Sequence, residues 1–304
     1  MSSSASEQNA PVDPGFAVQP ASATDRYFDY CLEPYKPRRP FTGRIRGENL
    51  FLHSLVHAGC APALAPMVEA IQASVGRDMT VWGVKFDGER LWWELYFYDP
   101  QKQDANATIS ALAGTIAPWL QLASSVKSAL RESVPYMMVS FDVSAETVAR
   151  GSIEELNFYL TGSKEHAGRS FVLDASGWQL HNTYKFMEPK RDIDELLPLV
   201  KSSVFVDYDQ DPSVLARVVI PQLFACKRVC VSKKRECDAV YYSGIDVDQL
   251  LWFLAHFRYP APLVDFITAR RTELDHLFFD VGVDYRQLAD GTIVYPKTSY
   301  YGTL

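Results

Sequence analysis

The sequence predicts an α+β protein in which long antiparallel hairpins alternate with amphipathic helices, and three observations carry that prediction. Runs of period-two alternation recur along the chain, bounded by turn residues. Between them the apolar spacing changes to the three-and-four rhythm of helices. The glycine loops of parallel nucleotide-binding folds, Gly-x-Gly-x-x-Gly and Gly-x4-Gly-Lys-Ser/Thr, are absent from the sequence. Strands paired to their sequence neighbours make an antiparallel sheet or a closed barrel with helices outside, and closure removes the free edges of such long strands.

Residues 1–46 are expected as a disordered or extended N-terminal segment, and residues 47–304 as a single hairpin-and-helix domain. Met1 to Thr24 is Ser-, Ala- and Pro-rich and lacks the basic head and apolar middle of a signal peptide. The stretch 35–46 is basic and broken by proline. It reads as a solvated linker, with an anion-holding segment as the alternative. From Glu48 to about Ser74 the spacing is helical, with interruptions at Pro62 and Pro66. Thr80 to Tyr98 is the strongest hairpin, because Asp87-Gly88 supplies the positive φ of a tight turn. One helix is then expected over 106–131. Tyr136–Val143 and Ile153–Leu160 can pair, and Ser170–Asp174 and Leu180–Met187 look extended without an obvious partner. After a helix at Asp192–Lys201, hairpins are expected at Val204–Tyr208 with Val214–Ile220, at Arg228–Ser232 with Ala239–Ser243, and at Leu277–Tyr285 with Ile293–Tyr301. Two helices, Asp246–Arg258 and Leu263–Leu274, precede the last hairpin.

Alternation sorts the side chains by face. Trp93, Leu95 and Phe97 form an apolar set suited to lie under helices, as do Trp82, Val84 and Phe86. Trp92, Glu94, Tyr96 and Tyr98 share the other face, with Lys85 opposite them, and Lys297, Ser299 and Tyr301 share a face in the last strand. Either that second face meets water, or it lines a lumen that serves as a ligand chamber. The recurrence of Tyr96, Tyr98, Tyr208, Tyr241 and Tyr301 favours the lumen.

Composition excludes several function classes. A net charge of −7 argues against a nucleic-acid binder, which needs a basic face for phosphates. No apolar run approaches the roughly 20 residues of a membrane span. The five cysteines, Cys31, Cys60, Cys226, Cys230 and Cys237, read as free thiols in a cytoplasmic protein. His53, His57 and Cys60 share a helix face with metal-ligand spacing but lack a fourth ligand, so packing is the simpler account. No metal and no cofactor is expected.

The order of elements resembles the ABBA, or PT-barrel, prenyltransferases, both the bacterial aromatic enzymes and the cyanobactin peptide enzymes. Local echoes are Trp93-Glu94-Leu95-Tyr96-Phe97, Val206-Asp207-Tyr208, Cys226-Lys227-Arg228 and Lys297-Thr298-Ser299-Tyr300-Tyr301. The resemblance covers roughly Met79 to the end. It implies a ten-stranded antiparallel β-barrel of ααββ-type repeats that moves a prenyl group from an allylic diphosphate to an aromatic or peptide acceptor in specialised metabolism. Such chemistry needs cations for the leaving pyrophosphate, tyrosine faces around the allyl cation, and a carboxylate for the acceptor. Lys297 matches a family lysine that contacts the diphosphate. Lys85 and Arg217 are further inward-facing candidates from alternation, Tyr96, Tyr98, Tyr241 and Tyr301 are the candidate shield, and Glu94 is the candidate catalytic carboxylate. The resemblance also marks departures. Glu155, or Asn182, stands where the family has a diphosphate lysine, Ala239 replaces an arginine, and Val81 replaces a catalytic glutamate. Tyr96 replaces a Mg²⁺-binding aspartate, which implies metal-independent activity. The competing function is a barrel that binds a hydrophobic molecule or partner peptide without chemistry.

Overall fold

The computed structural model describes residues 15–98, 108–131, 133–134, 136–161 and 167–304. A helix pair, α1 (Glu48–His57) and α2 (Ala61–Val75), precedes the hairpin β1 (Thr80–Phe86) and β2 (Leu91–Tyr98). Helix α3 (Ile109–Ile116), the two-residue β3 (Gln121–Leu122) and α4 (Ser124–Ala129) lead into β4 (Met138–Val143). Helix α5 (Ala145–Arg150) and β5 (Ser152–Ile153) come before β6 (Leu156–Thr161), and β3 pairs with β5 as a separate parallel ribbon. The hairpin β7 (Ala167–Asp174) and β8 (Gly177–Met187) follows, then α6 (Ile193–Lys201) and α7 (Leu215–Val218). Strands β9 (Arg228–Lys234) and β10 (Asp238–Ile245) form the next hairpin. Helices α8 (Val247–His256), α9 (Ala261–Ala269) and α10 (Arg271–Leu274) separate it from the last, β11 (Phe279–Gln287) and β12 (Ile293–Thr303).

Ten of the strands close into an antiparallel barrel in the order β1-β12-β11-β10-β9-β8-β7-β6-β4-β2. The seam is the β1–β12 ladder, from Val81 opposite Thr303 to Phe86 opposite Thr298. The first turn forms as its residues dictate: Gly88 has φ +100°, and Asp87 Oδ1 accepts the Glu89 and Arg90 N–H groups at 3.0 and 2.8 Å. Helix α8 begins in a capping box, with Asp246 and Gln249 satisfying each other's backbone N–H groups.

The outward faces of the strands meet the helices in one core. Trp82, Val84, Phe86, Trp93, Leu95 and Phe97 are all buried there, each such side chain contributing about 1.5–3 kcal/mol. The Trp93 indole N–H donates to Ser54 Oγ at 2.8 Å, which ties β2 to α1. Inside, two glycines leave room for rings. A Cβ on Gly83 would lie 2.7 Å from the Tyr301 ring, and one on Gly282 would lie 2.5 Å from the Tyr241 ring.

Several expectations are corrected. The helix expected over 106–131 is broken: α3 ends at Ile116, ahead of Pro118, and the chain makes β3 before α4 (residues 106 and 107 lie outside the described residues). The hairpin expected at 204–220 does not form. Pro212 and Pro221 open 3-10 turns, and Val214 and Val218, four apart, bury one face of a helical turn. Arg217 therefore sits exposed on α7, outside the barrel, and Tyr208 packs in the outer core. The pairing of β7 with β8, which the sequence left unassigned, supplies the missing hairpin around Gly177 at φ +97°. Residues 35–46 are not a solvated linker throughout. Ile45 is buried, and Arg46 Nη2 lies 2.8 Å from Asp25 and 3.3 Å from Asp78.

Candidate active site in the barrel lumen

The lumen is built by the side chains that alternate away from the helices, and it has two layers. One is aromatic. Tyr96 and Tyr98 of β2, Tyr159 of β6, Tyr184 of β8, Tyr241 of β10 and Tyr301 of β12 line a cavity of about 80 Å³, with Met138, Cys230 and Asn182 between them. Ring centroids lie 6.0 Å apart for Tyr96–Tyr301, 6.3 Å for Tyr241–Tyr301 and 6.1 Å for Tyr96–Tyr159. Burial pushes the Tyr96, Tyr98, Tyr159 and Tyr241 phenols well above their ordinary value, so the cavity presents neutral rings.

The other layer is charged and lies toward the hairpin turns. Lys85 Nζ meets Glu94 at 2.5 Å and Asp142 at 2.7 Å, and the Trp92 indole N–H donates to Asp142 at 3.2 Å. Beyond the β1–β12 seam, Asp284 takes Lys234 at 2.6 Å and Lys297 at 3.3 Å, and Lys234 also donates to the Tyr241 hydroxyl at 3.1 Å. The stretch of wall made by β1, β2 and β4 therefore carries one lysine against two carboxylates, and the neighbouring stretch from β12 to β9 two lysines against one carboxylate. The layer is neutral in sum but polarised around the barrel wall.

Burial pulls all three ammonium groups toward deprotonation. The carboxylates outweigh it for Lys85 and Lys297, which stay above their ordinary value, while Lys234, with Lys297 close by, falls below its own. Burial also raises the Glu94 carboxyl, but Lys85 and hydrogen bonds from Ser140 and Tyr96 prevail and hold it at about 2. The Tyr96 hydroxyl donates to Glu94 Oε2 at 2.5 Å, and Ser140 Oγ donates to Oε1. A carboxylate so occupied is a weak proton acceptor. Asp142 differs: its side chain is 29% exposed, and desolvation lifts it above the ordinary carboxylate value against the pull of Lys85.

Of the site residues expected from the sequence, Lys85, Glu94, Tyr96, Tyr98, Tyr241, Tyr301 and Lys297 come together on the lumen wall, and Arg217 does not. Val81 packs beneath the tyrosines, Asn182 lines the cavity, and Glu155 is exposed just before β6. Ala239 stands opposite Asp284 and brings no cation, so Lys234 and Lys297 supply the positive charge at that wall. Sequence reasoning missed Lys234, Asp142, Asp284, Tyr159 and Tyr184. Carrying the alternation of Cys230 and Ser232 two residues further reaches Lys234, and Asp280, Gly282 and Asp284 alternate in the same way. The metal spacing on α1 dissolves in the fold: His53 stacks on Phe266 with ring centroids 4.3 Å apart, and His57 is exposed.

No family model matches the chain, and no curated protein matches its sequence. Solved structures do resemble it. The 5-dimethylallyltryptophan synthase of Streptomyces coelicolor is 9% identical, over 83% of this chain and 95% of that one, with a TM-score of 0.51. AnaPT from Neosartorya fischeri is 10% identical, over 83% and 91%, with a TM-score of 0.49. The closed ten-stranded antiparallel barrel with its surrounding helices is the PT-barrel, the ABBA fold of the aromatic prenyltransferases. The likeness lies in the path of the chain. None of the helices among the described residues is long and apolar enough to cross a membrane.

Proposed function

We propose that this barrel transfers a prenyl group from an allylic diphosphate to an aromatic or peptide side chain, without a metal ion, in specialised metabolism. The observation that carries the reading is the polarised charged layer standing directly above a tyrosine-lined cavity. In the transfer, the C–O bond to the diphosphate breaks and pyrophosphate leaves with the electron pair. The acceptor's nucleophilic atom then bonds to the allylic carbon and gives up its proton. Lys234 and Lys297, which share a single carboxylate, are the cations suited to the leaving pyrophosphate. Lys85 already meets two carboxylates and is better suited to hold Asp142 in place. Tyr96, Tyr159, Tyr241 and Tyr301 present ring faces to a developing cation. Asp142, open to the mouth and raised in pKa, is the group suited to take the acceptor's proton, with Glu94 and Lys85 positioning it.

One observation favours a second reading. Three lysines balanced by three carboxylates leave the layer neutral, which suits an uncharged apolar ligand held without chemistry. Calorimetric titration with dimethylallyl diphosphate and with prenol separates the two. The transfer reading expects the diphosphate to bind, and Lys234→Ala and Lys297→Ala each to weaken it roughly tenfold to a hundredfold, the worth of a charge-assisted contact of about 1.5–3 kcal/mol. Absence of diphosphate binding at millimolar ligand removes the transfer reading. Prenol binding that survives both substitutions supports the second.

A further inference from the structure

The floor of the tyrosine cavity comes from outside the barrel wall. Phe28 and Pro34 form an isolated antiparallel bridge, and between them the Leu32 N–H donates to the Asp29 carbonyl at 2.9 Å. Asp29 Oδ1 accepts the Cys31 and Glu33 N–H groups at 2.9 and 3.0 Å. These bonds make a short finger whose tip enters the barrel at the end where β2 and β10 finish and β11 begins. Asp280 Oδ2 accepts the Tyr30 N–H at 2.8 Å, the Tyr98 hydroxyl donates to the Tyr30 carbonyl, and Arg228 Nη1 donates to Glu33 Oε1 at 2.9 Å.

The Tyr30 ring continues the aromatic lining. Its centroid lies 5.6 Å from Tyr301, 6.2 Å from Phe186 and 6.3 Å from Tyr241, the last with ring planes 18° apart. Leu32 packs with it against Val81, Met138, Tyr96 and Tyr301. Leu32 holds φ +56°, a left-handed backbone that a leucine adopts only where its surroundings impose it. The cavity that remains is about 80 Å³, and Tyr30 closes it on the side of the finger.

We infer that Tyr30 is the gauge that sets how long an apolar group the lumen accepts, passing a five-carbon branched chain and stopping a ten-carbon one. The choice of prenyl probes rests on the transfer reading; the gauge itself rests on the finger. Removing the ring joins the space it fills to the existing cavity, along the direction in which a longer chain would extend.

The test titrates the full chain and its Tyr30→Ala, Tyr30→Leu and Tyr30→Phe variants with prenol and geraniol by ligand-observed NMR, and with dimethylallyl and geranyl diphosphate by calorimetry. Wild type and Tyr30→Phe should prefer the five-carbon alcohol about tenfold. Tyr30→Leu should narrow that preference, and Tyr30→Ala should reverse it. A preference unchanged within twofold in both Tyr30→Ala and Tyr30→Leu overturns the gauge, as does the absence of alcohol binding in every variant. If Tyr30→Ala fails to fold, Tyr30→Leu decides. Alcohols that shift while diphosphates fail to bind remove the transfer reading and keep the gauge; diphosphates that bind with no shift in either series do the reverse.

Discussion

Replacing Lys85 with methionine keeps a long unbranched chain in place but removes the cation between Glu94 and Asp142. Lys85 and Glu94 are 5% and 3% exposed, so water cannot take over the cation's role. Breaking a buried ion pair from one side costs about 3–5 kcal/mol, because the stranded charge stays desolvated. The pH dependence should change sign as well. In the wild type, Glu94 is depressed from 4.5 to about 2, a stabilisation of about 3 kcal/mol that is fully present above pH 4.5 and lost as pH falls toward 2. In Lys85→Met the cation is gone and burial dominates, so the folded carboxyl binds its proton more tightly than the unfolded one. Acidification from pH 7 to about 5 should then stabilise the variant more than the wild type, whose Glu94 stays ionised over that range; the contribution of Asp280 is common to both. Urea unfolding at pH 7.5, 5.5 and 3.5, followed by tryptophan fluorescence, measures both effects. A variant within 1 kcal/mol of wild type at pH 7.5, or one with the wild-type pH slope, would refute the account of the charged layer.

Gly282→Ala places a methyl group against the Tyr241 ring and should cost about 1–3 kcal/mol by overpacking, read as a lowered thermal midpoint; no change would mean that the ring moves freely. Asp280 is raised to about 7, by burial first and Asp29 second, so its folded carboxyl holds a proton that the unfolded chain releases. Stability should rise as pH falls from about 7 toward 4, and hydrogen exchange at residues 28–34 should slow between pH 8 and 5.5 after correction for intrinsic rates. Arg217→Ala, on the outer surface, should change stability by no more than about 0.5 kcal/mol and leave ligand titrations unaltered. A loss of diphosphate binding in that variant would return Arg217 to the site.

The first and last hairpins were legible because their faces are chemically unlike. Trp93, Leu95 and Phe97 against Glu94, Tyr96 and Tyr98 can be sorted by period two alone. The stretch 204–220 misled because Val214, Val218 and Ile220 satisfy a strand's composition while their spacing serves a helical turn. The ion pairs were hidden for a different reason. Lys85 reaches Asp142 across β2, and Lys234 reaches Asp284 across β10, so each pairing depends on which strands become neighbours on closure. The finger around Tyr30 was hidden by its flanks: prolines and charges on either side look like a tether, and only the finished barrel offers its few aromatic residues a place to go.

Because β1 is stitched to β12, the chamber cannot exist until the last strand has been delivered. Every earlier hairpin can zip up locally, but the wall stays a curling sheet with two raw borders until a segment from the far end of the chain arrives. Assembly of this kind is slow and leaves sticky edges waiting. During synthesis, the interval between β11 and the delivery of Ile293–Thr303 leaves both borders open to a wrong partner, and a molecule that fits the finished interior can act only after that interval.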